Sequence, residues 1–134
     1  MPSILIDPNG PDWPLGFIEV ITPGTPVQVT SLVDPTNTYD PASTKSEYTR
    51  RVNQMMFQGY TPDTHGMKPN AGYVYIVRKG GSRDDPGTIV KVLAPGETFF
   101  LAPTPMVRDV FSPYRYYIDG DNAGDGALVT CLIF

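Results

Sequence analysis

Proline and glycine interrupt this chain too often for helices to carry its fold. The 134 residues include 15 prolines and 13 glycines, against an average combined usage of roughly 12%. Breakers at that density leave unbroken runs of about five residues; a helix needs roughly ten or more, whereas a strand needs only four to eight. Bundles, coiled coils and helical solenoids are therefore excluded. The apolar fraction of 40%, with 11% aromatic residues, opposes disorder equally. One compact all-β domain with long, proline-rich loops is the expectation.

Charge and cysteine use exclude several functions. The net charge is −4 and the ten basic residues are dispersed, with no run longer than Arg50-Arg51 or Arg78-Lys79. A nucleic-acid footprint needs a clustered basic stripe, so no nucleic-acid partner is expected. No apolar run approaches the 18 or so residues of a membrane span. The first residues, Met1-Pro-Ser-Ile-Leu-Ile-Asp7, lack the basic start and apolar stretch of a secretory signal. The single cysteine, Cys131, can form neither an intramolecular disulfide nor a thiolate zinc site. Its apolar neighbours make it read as a small buried hydrophobe. An unpaired thiol fits synthesis in a reducing cytoplasm.

Strand signals fall at residues 16–22, 26–33, 51–59, 73–78, 88–93, 98–102, 114–119 and 127–134, with a short edge strand at 3–6. Eight or nine short strands predict a single antiparallel β-sandwich, jelly-roll-like in organisation. Residues 16–134 would form it, and residues 1–15 an N-terminal arm or edge segment. Pro-Gly pairs at 23–24 and 95–96 predict type II hairpin turns, and residues 119–126 a longer hairpin loop. Alternation sets Val27 and Val29 inward, and likewise Val90 and Val92, with Lys91 turned to water. Residues 7–14, which hold Trp13, residues 34–46, which hold Tyr39, and residues 60–71 and 103–113 read as long loops. The last strand is apolar on both faces: Leu128, Leu132 and Phe134 on one, Val129, Cys131 and Ile133 on the other. Such a strand lies between covered layers or at a subunit contact.

Little in the chain reads as catalytic. His65 is the only histidine, in Asp63-Thr-His-Gly66, too few for a His-rich metal site and without a triad context. Eleven aspartates against three glutamates sit largely beside Gly, Pro or Asn, which marks turn chemistry. Asp119, Asp121 and Asp125 approach a calcium-loop spacing, but Ala123 and Thr130 stand where further ligands are needed, so they form at most a weak calcium candidate. Lys79-Gly-Gly-Ser-Arg83 lacks the phosphate-loop pattern. No cofactor and no enzyme activity are expected. Tyr73, Tyr75, Tyr114, Tyr116 and Tyr117 suit sheet packing, an interface, or a sugar platform. Alternation groups Tyr114 and Tyr116 with Ile118, and Arg115 with Tyr117.

A succession of phrases gives a further lead: Thr22-Pro-Gly-Thr-Pro-Val-Gln-Val29, Met55-Met-Phe-Gln-Gly59, Asn70-Ala-Gly-Tyr-Val-Tyr-Ile76, Val92-Leu-Ala-Pro-Gly-Glu-Thr98 and Tyr116-Tyr-Ile-Asp-Gly120, before an apolar terminal strand. In this order they resemble the decoration or cement proteins of tailed bacteriophages, over roughly residues 16–134. The resemblance implies a non-enzymatic β-sandwich, a homo-oligomer and often a trimer. It would be made in the host cytoplasm and bound to the major capsid protein on the capsid exterior, with loops reaching neighbouring subunits. On that reading the interface candidates are Trp13, Tyr39, Tyr114, Tyr116, Leu132 and Phe134. A carbohydrate-binding receptor-recognition domain and a tail or baseplate component are the alternatives.

Overall fold

The computed structural model describes residues 12–29, 54–101 and 115–132, and side chains within them from residue 16 to residue 131. These residues form ten strands: β1 (Asp12–Glu19), β2 (Val27–Gln28), β3 (Gln54–Gln58), β4 (Tyr60–Asp63), β5 (Gly66–Pro69), β6 (Val74–Arg78), β7 (Ile89–Leu93), β8 (Thr98–Leu101), β9 (Tyr116–Gly120) and β10 (Gly126–Leu132). One 3-10 turn, Pro86–Thr88, precedes β7. The chain is all-β, and every strand pairing is antiparallel.

Two four-stranded sheets, ordered β1-β10-β3-β8 and β2-β9-β6-β7, accompany a separate β4-β5 hairpin. Leaving the hairpin aside, the pairing is nested: first strand with last (β1 with β10), then β2 with β9, β3 with β8, and β6 with β7. A single apolar cluster draws on both sheets. Ile18, Met55, Phe57, Val129 and Cys131 come from the first; Val74, Ile76, Leu93 and Ile118 come from the second. Val27 packs against it and Val29 is fully buried in it, as their alternation predicts.

The Pro-Gly turns form where expected but do different work. Thr25 N–H donates to Thr22 O (2.9 Å) and Glu97 N–H to Ala94 O (3.0 Å), with Gly24 and Gly96 at φ +90° and +79°. Proline presets the first central position and glycine supplies the positive φ at the second. Neither turn closes a hairpin within one sheet, however. The first carries the chain from β1 to β2, the second from β7 to β8, and the 121–125 loop from β9 to β10, each time into the other sheet. Short turns serve here because the two sheets share one core; turn chemistry alone does not tell a hairpin from a corner.

Three further expectations are corrected. Residues 60–71 contain a hairpin, β4-β5, closed by the two-residue link Thr64-His65. Pro62 and Pro69 are each accommodated in a two-stranded ribbon, where a missing N–H can face outward. Trp13 falls inside β1, opposite Cys131, and not in a loop. In β7, Val92 is 40% exposed, while Val90 packs against the core. A bulge sets Ile76 opposite Lys91 but Val77 opposite Ile89, so the simple alternation slips by one residue. Lys91 Nζ then lies 2.9 Å from Glu97 Oε2 and 5.6 Å from the centroid of the Phe99 ring. Glu97 accepts the Ala94 N–H as well, and that bond together with Lys91 lowers its carboxyl pKa. The segments 3–6 and 34–46, with Tyr39, Tyr114 and Phe134, lie outside the described residues.

Candidate interaction face

The corners between sheets are tied by a polar network that also uses the aspartates of the calcium candidate. Asp119 is fully buried at the end of β9. Its Oδ1 accepts from Gly24 N–H (2.9 Å) and Gly120 N–H (2.8 Å), and its Oδ2 from Arg83 N–H (2.9 Å). Asp125 accepts from Ala71 and Gly72 N–H at 3.0 and 2.9 Å. Asp121 accepts from the Tyr75 hydroxyl and from Arg83 Nη1. Asn70 faces Gly126 as a strand residue would, its amide donating to Gly126 O and its oxygen accepting Gly126 N–H. All three carboxylates thus bind protein donors from separate elements. Among the described residues no group of three or more His, Cys, Asp and Glu side chains is placed to hold a metal ion. His65 is exposed in the β4-β5 turn, beside an Asp63 carboxylate that accepts the Thr64 N–H.

The described tyrosines of β6 and β9 divide between the two faces of the second sheet. Tyr116 points to the core and packs against it, and burial raises its phenol pKa. Tyr75 and Tyr117 alternate with core residues on the opposite face of the second sheet. Partial desolvation and the bond to Asp121 raise the Tyr75 pKa. The loop between β6 and β7 leaves that sheet where Arg78 pairs with Tyr116. It returns across the sheet to the far end of β9, where Arg83 Nη1 donates to Gly120 O at 3.0 Å. Val77, on this face, is fully buried although it is not a member of the core cluster. The loop thus covers part of the second sheet's opposite face, on which Val92, paired with Tyr75, stays 40% exposed.

The first sheet differs. Strict alternation along β3 and β10 buries Met55, Phe57, Val129 and Cys131 and turns Met56, Gln58, Leu128 and Thr130 to the other side. Register aligns these into rows: Phe17–Leu128–Gln58–Thr98, and Thr130–Met56–Phe100. Phe100 is 50% exposed. Glu19, at the end of β1, is the one charged side chain described on this face. The burial alternation continues from Gln54 through Gly59 to Thr61, so the hairpin extends the same side. Tyr60 pairs with Pro69 and Pro62 with Met67, which makes one face of the hairpin an apolar stripe, with Thr61, Asp63 and Lys68 on the other. At its base, Thr61 Oγ1 donates to Gly124 O (2.8 Å), Gly59 N–H to Glu97 O (2.8 Å) and Asn70 N–H to Gly59 O (3.1 Å). The ribbon therefore leaves the body from a tied corner. A surface this short of charge is unusual away from contacts, since charged residues are depleted at the centres of interfaces.

Of the interface candidates, Leu132 continues β10 opposite Gln54, and Trp13 lies in the adjoining β1. The hairpin stripe was missed by sequence reasoning. The signal for it was there: two four-residue runs, Tyr60-Thr-Pro-Asp63 and Gly66-Met-Lys-Pro69, joined by two residues.

Cys131 is fully buried, and desolvation pushes its thiol pKa up to about 12. It is expected to stay unmodified by an aromatic disulfide reagent at pH 8 and to react stoichiometrically once the chain is unfolded in guanidinium; rapid labelling of the native protein would contradict the assigned register. No described helix is long and apolar enough to cross a membrane. The chain matches no protein-family model, no curated protein and no solved structure.

Proposed function

We propose that the chain is a non-enzymatic, homo-oligomeric structural protein of a tailed-phage virion, a decoration or cement protein on the outside of the head. The observation that carries the reading is an asymmetry. One sheet's opposite face is crossed by the β6-β7 loop and carries the carboxylates of its polar network, while the other sheet offers a nearly uncharged face continuous with an exposed hairpin stripe. We read the two sheets as a jelly-roll sandwich. The nested pairing, with every link but β6-β7 passing from one sheet to the other, is what a folded-over antiparallel ribbon produces. That architecture, together with the order of sequence phrases described above, supports a capsid-associated role over a catalytic one.

The mechanism is mechanical. A rigid roll laid with its open face across adjacent capsomers adds contacts that must break together before the shell opens locally. The corner network suits this, because a preorganised surface loses less entropy on docking. The test is to add purified protein to heads that lack it and to follow genome release on heating. Release at a higher temperature, saturating at a fixed copy number, is expected. No binding and an unchanged release temperature would overturn the proposal, and binding to tail structures instead would favour the tail or baseplate reading.

A further inference from the structure

We propose that two copies of this chain join edge to edge through β8, related by a two-fold axis, so that their first sheets become one continuous sheet. The inference stands on the strand edges alone and is independent of the virion reading. An edge strand left able to pair invites association, and proteins blunt such edges with prolines, bulges, inward-pointing charges or very short strands. Every other described edge is blunted in one of these ways. β1 carries Pro14 and a bulge before Gly16, and β2 has two residues. β7 has a bulge and the side chain of Lys91, and the hairpin strands contain Pro62 and Pro69. β8, Thr98-Phe-Phe-Leu101, has no proline, no bulge and no charge.

Its side away from β3, unpaired among the described strands, is also oriented for pairing. Gly59 N–H donates to Glu97 O, which fixes the phase of the β3-β8 ladder. Antiparallel pairs alternate between bonded and non-bonded. Phe99 and Leu101 therefore direct their backbone groups at β3, while Thr98 and Phe100 direct theirs away from it. A register centred on Phe99 sets Thr98 of one copy opposite Phe100 of the second, twice over by symmetry, with four N–H···O bonds. It keeps Phe99 and Leu101 on the core side and covers the half-exposed Phe100 with Thr98 of the second copy. A chain of net charge −4 meets its own copy here without opposing like charges. The pairing also places two nearly uncharged faces side by side.

The full chain is expected to sediment at twice its 14.7 kDa monomer mass. Phe100→Pro removes an N–H directed away from β3, and should raise the dimer dissociation constant about 30-fold while leaving the circular dichroism spectrum unchanged. The register is checked by mixing Thr98→Cys protein with Phe100→Cys protein under mild oxidation. Bonded pairs sit about 5.5 Å apart at Cα, within disulfide reach, so a covalent dimer should form in the mixture and not with either variant alone. A monomer, an assembly of any size insensitive to Phe100→Pro, or cross-linking independent of mixing would each overturn the proposal.

Discussion

Replacing Asp119 with alanine is expected to cost roughly 4 kcal/mol of stability, although the residue is no member of the apolar core cluster. Its carboxylate is fully buried and accepts three backbone N–H groups: one in the β1-β2 corner, one in the β6-β7 loop and one at the end of β9. Alanine would leave those donors, one buried and two partly buried, without acceptors, the expensive way to lose a hydrogen bond. For a chain of this length the melting temperature should fall by about 12 °C. Thermal melts followed by circular dichroism would measure it, and a loss below about 1 kcal/mol would show that the three elements are held by other means. Because Arg83 bridges the same region, limited proteolysis of Asp119→Ala should cut first between β6 and β7.

Phe57→Ala is expected to destabilise by about 3–5 kcal/mol through a different cause, a cavity at the centre of the core. Phe57 is the largest fully buried side chain among the described residues, and it faces Val129 and Phe99 across its two neighbouring strands. Phe100→Ala, one strand away on the open face, should cost under about 1 kcal/mol because its ring is already half in water. The contrast between two phenylalanines in adjoining strands tests the register of the first sheet. Equal losses would contradict it.

Much of this was legible in the sequence, for reasons that can be located. Breaker density forced short strands, and the alternation of Val27 with Val29 or of Tyr116 with Ile118 placed their core faces correctly. The doubly apolar last strand also made sense in the end: β10 is central in its sheet, with Val129 and Cys131 in the core and Leu128 on the open face. What stayed hidden depends on long-range pairing. Nothing local distinguishes a Pro-Gly hairpin from a Pro-Gly corner, because the same turn geometry serves both. The β7 bulge cannot be read from Ile-Val-Lys-Val-Leu, since it appears only against β6. The roles of Asp119 and Asp125 were obscured by their glycine neighbours, which suggested a turn or a cation loop, whereas the carboxylates clasp the backbone of distant elements. Prolines in β4 and β5 concealed a ribbon that makes up part of the open face.

The open face is the centre of the account, and Met56 is at its middle, between Thr130 and Phe100. Its side chain points away from the core, so Met56→Lys should fold with a melting temperature within a few degrees of the parent while placing a charge in the middle of a nearly uncharged surface. The decisive measurement is the binding isotherm of parent and Met56→Lys protein on purified heads stripped of their auxiliary proteins. Saturable binding by the parent, weakened at least tenfold by the lysine, is the predicted result. Equal binding by both proteins, or none by the parent, would contradict the assignment of this face to the shell.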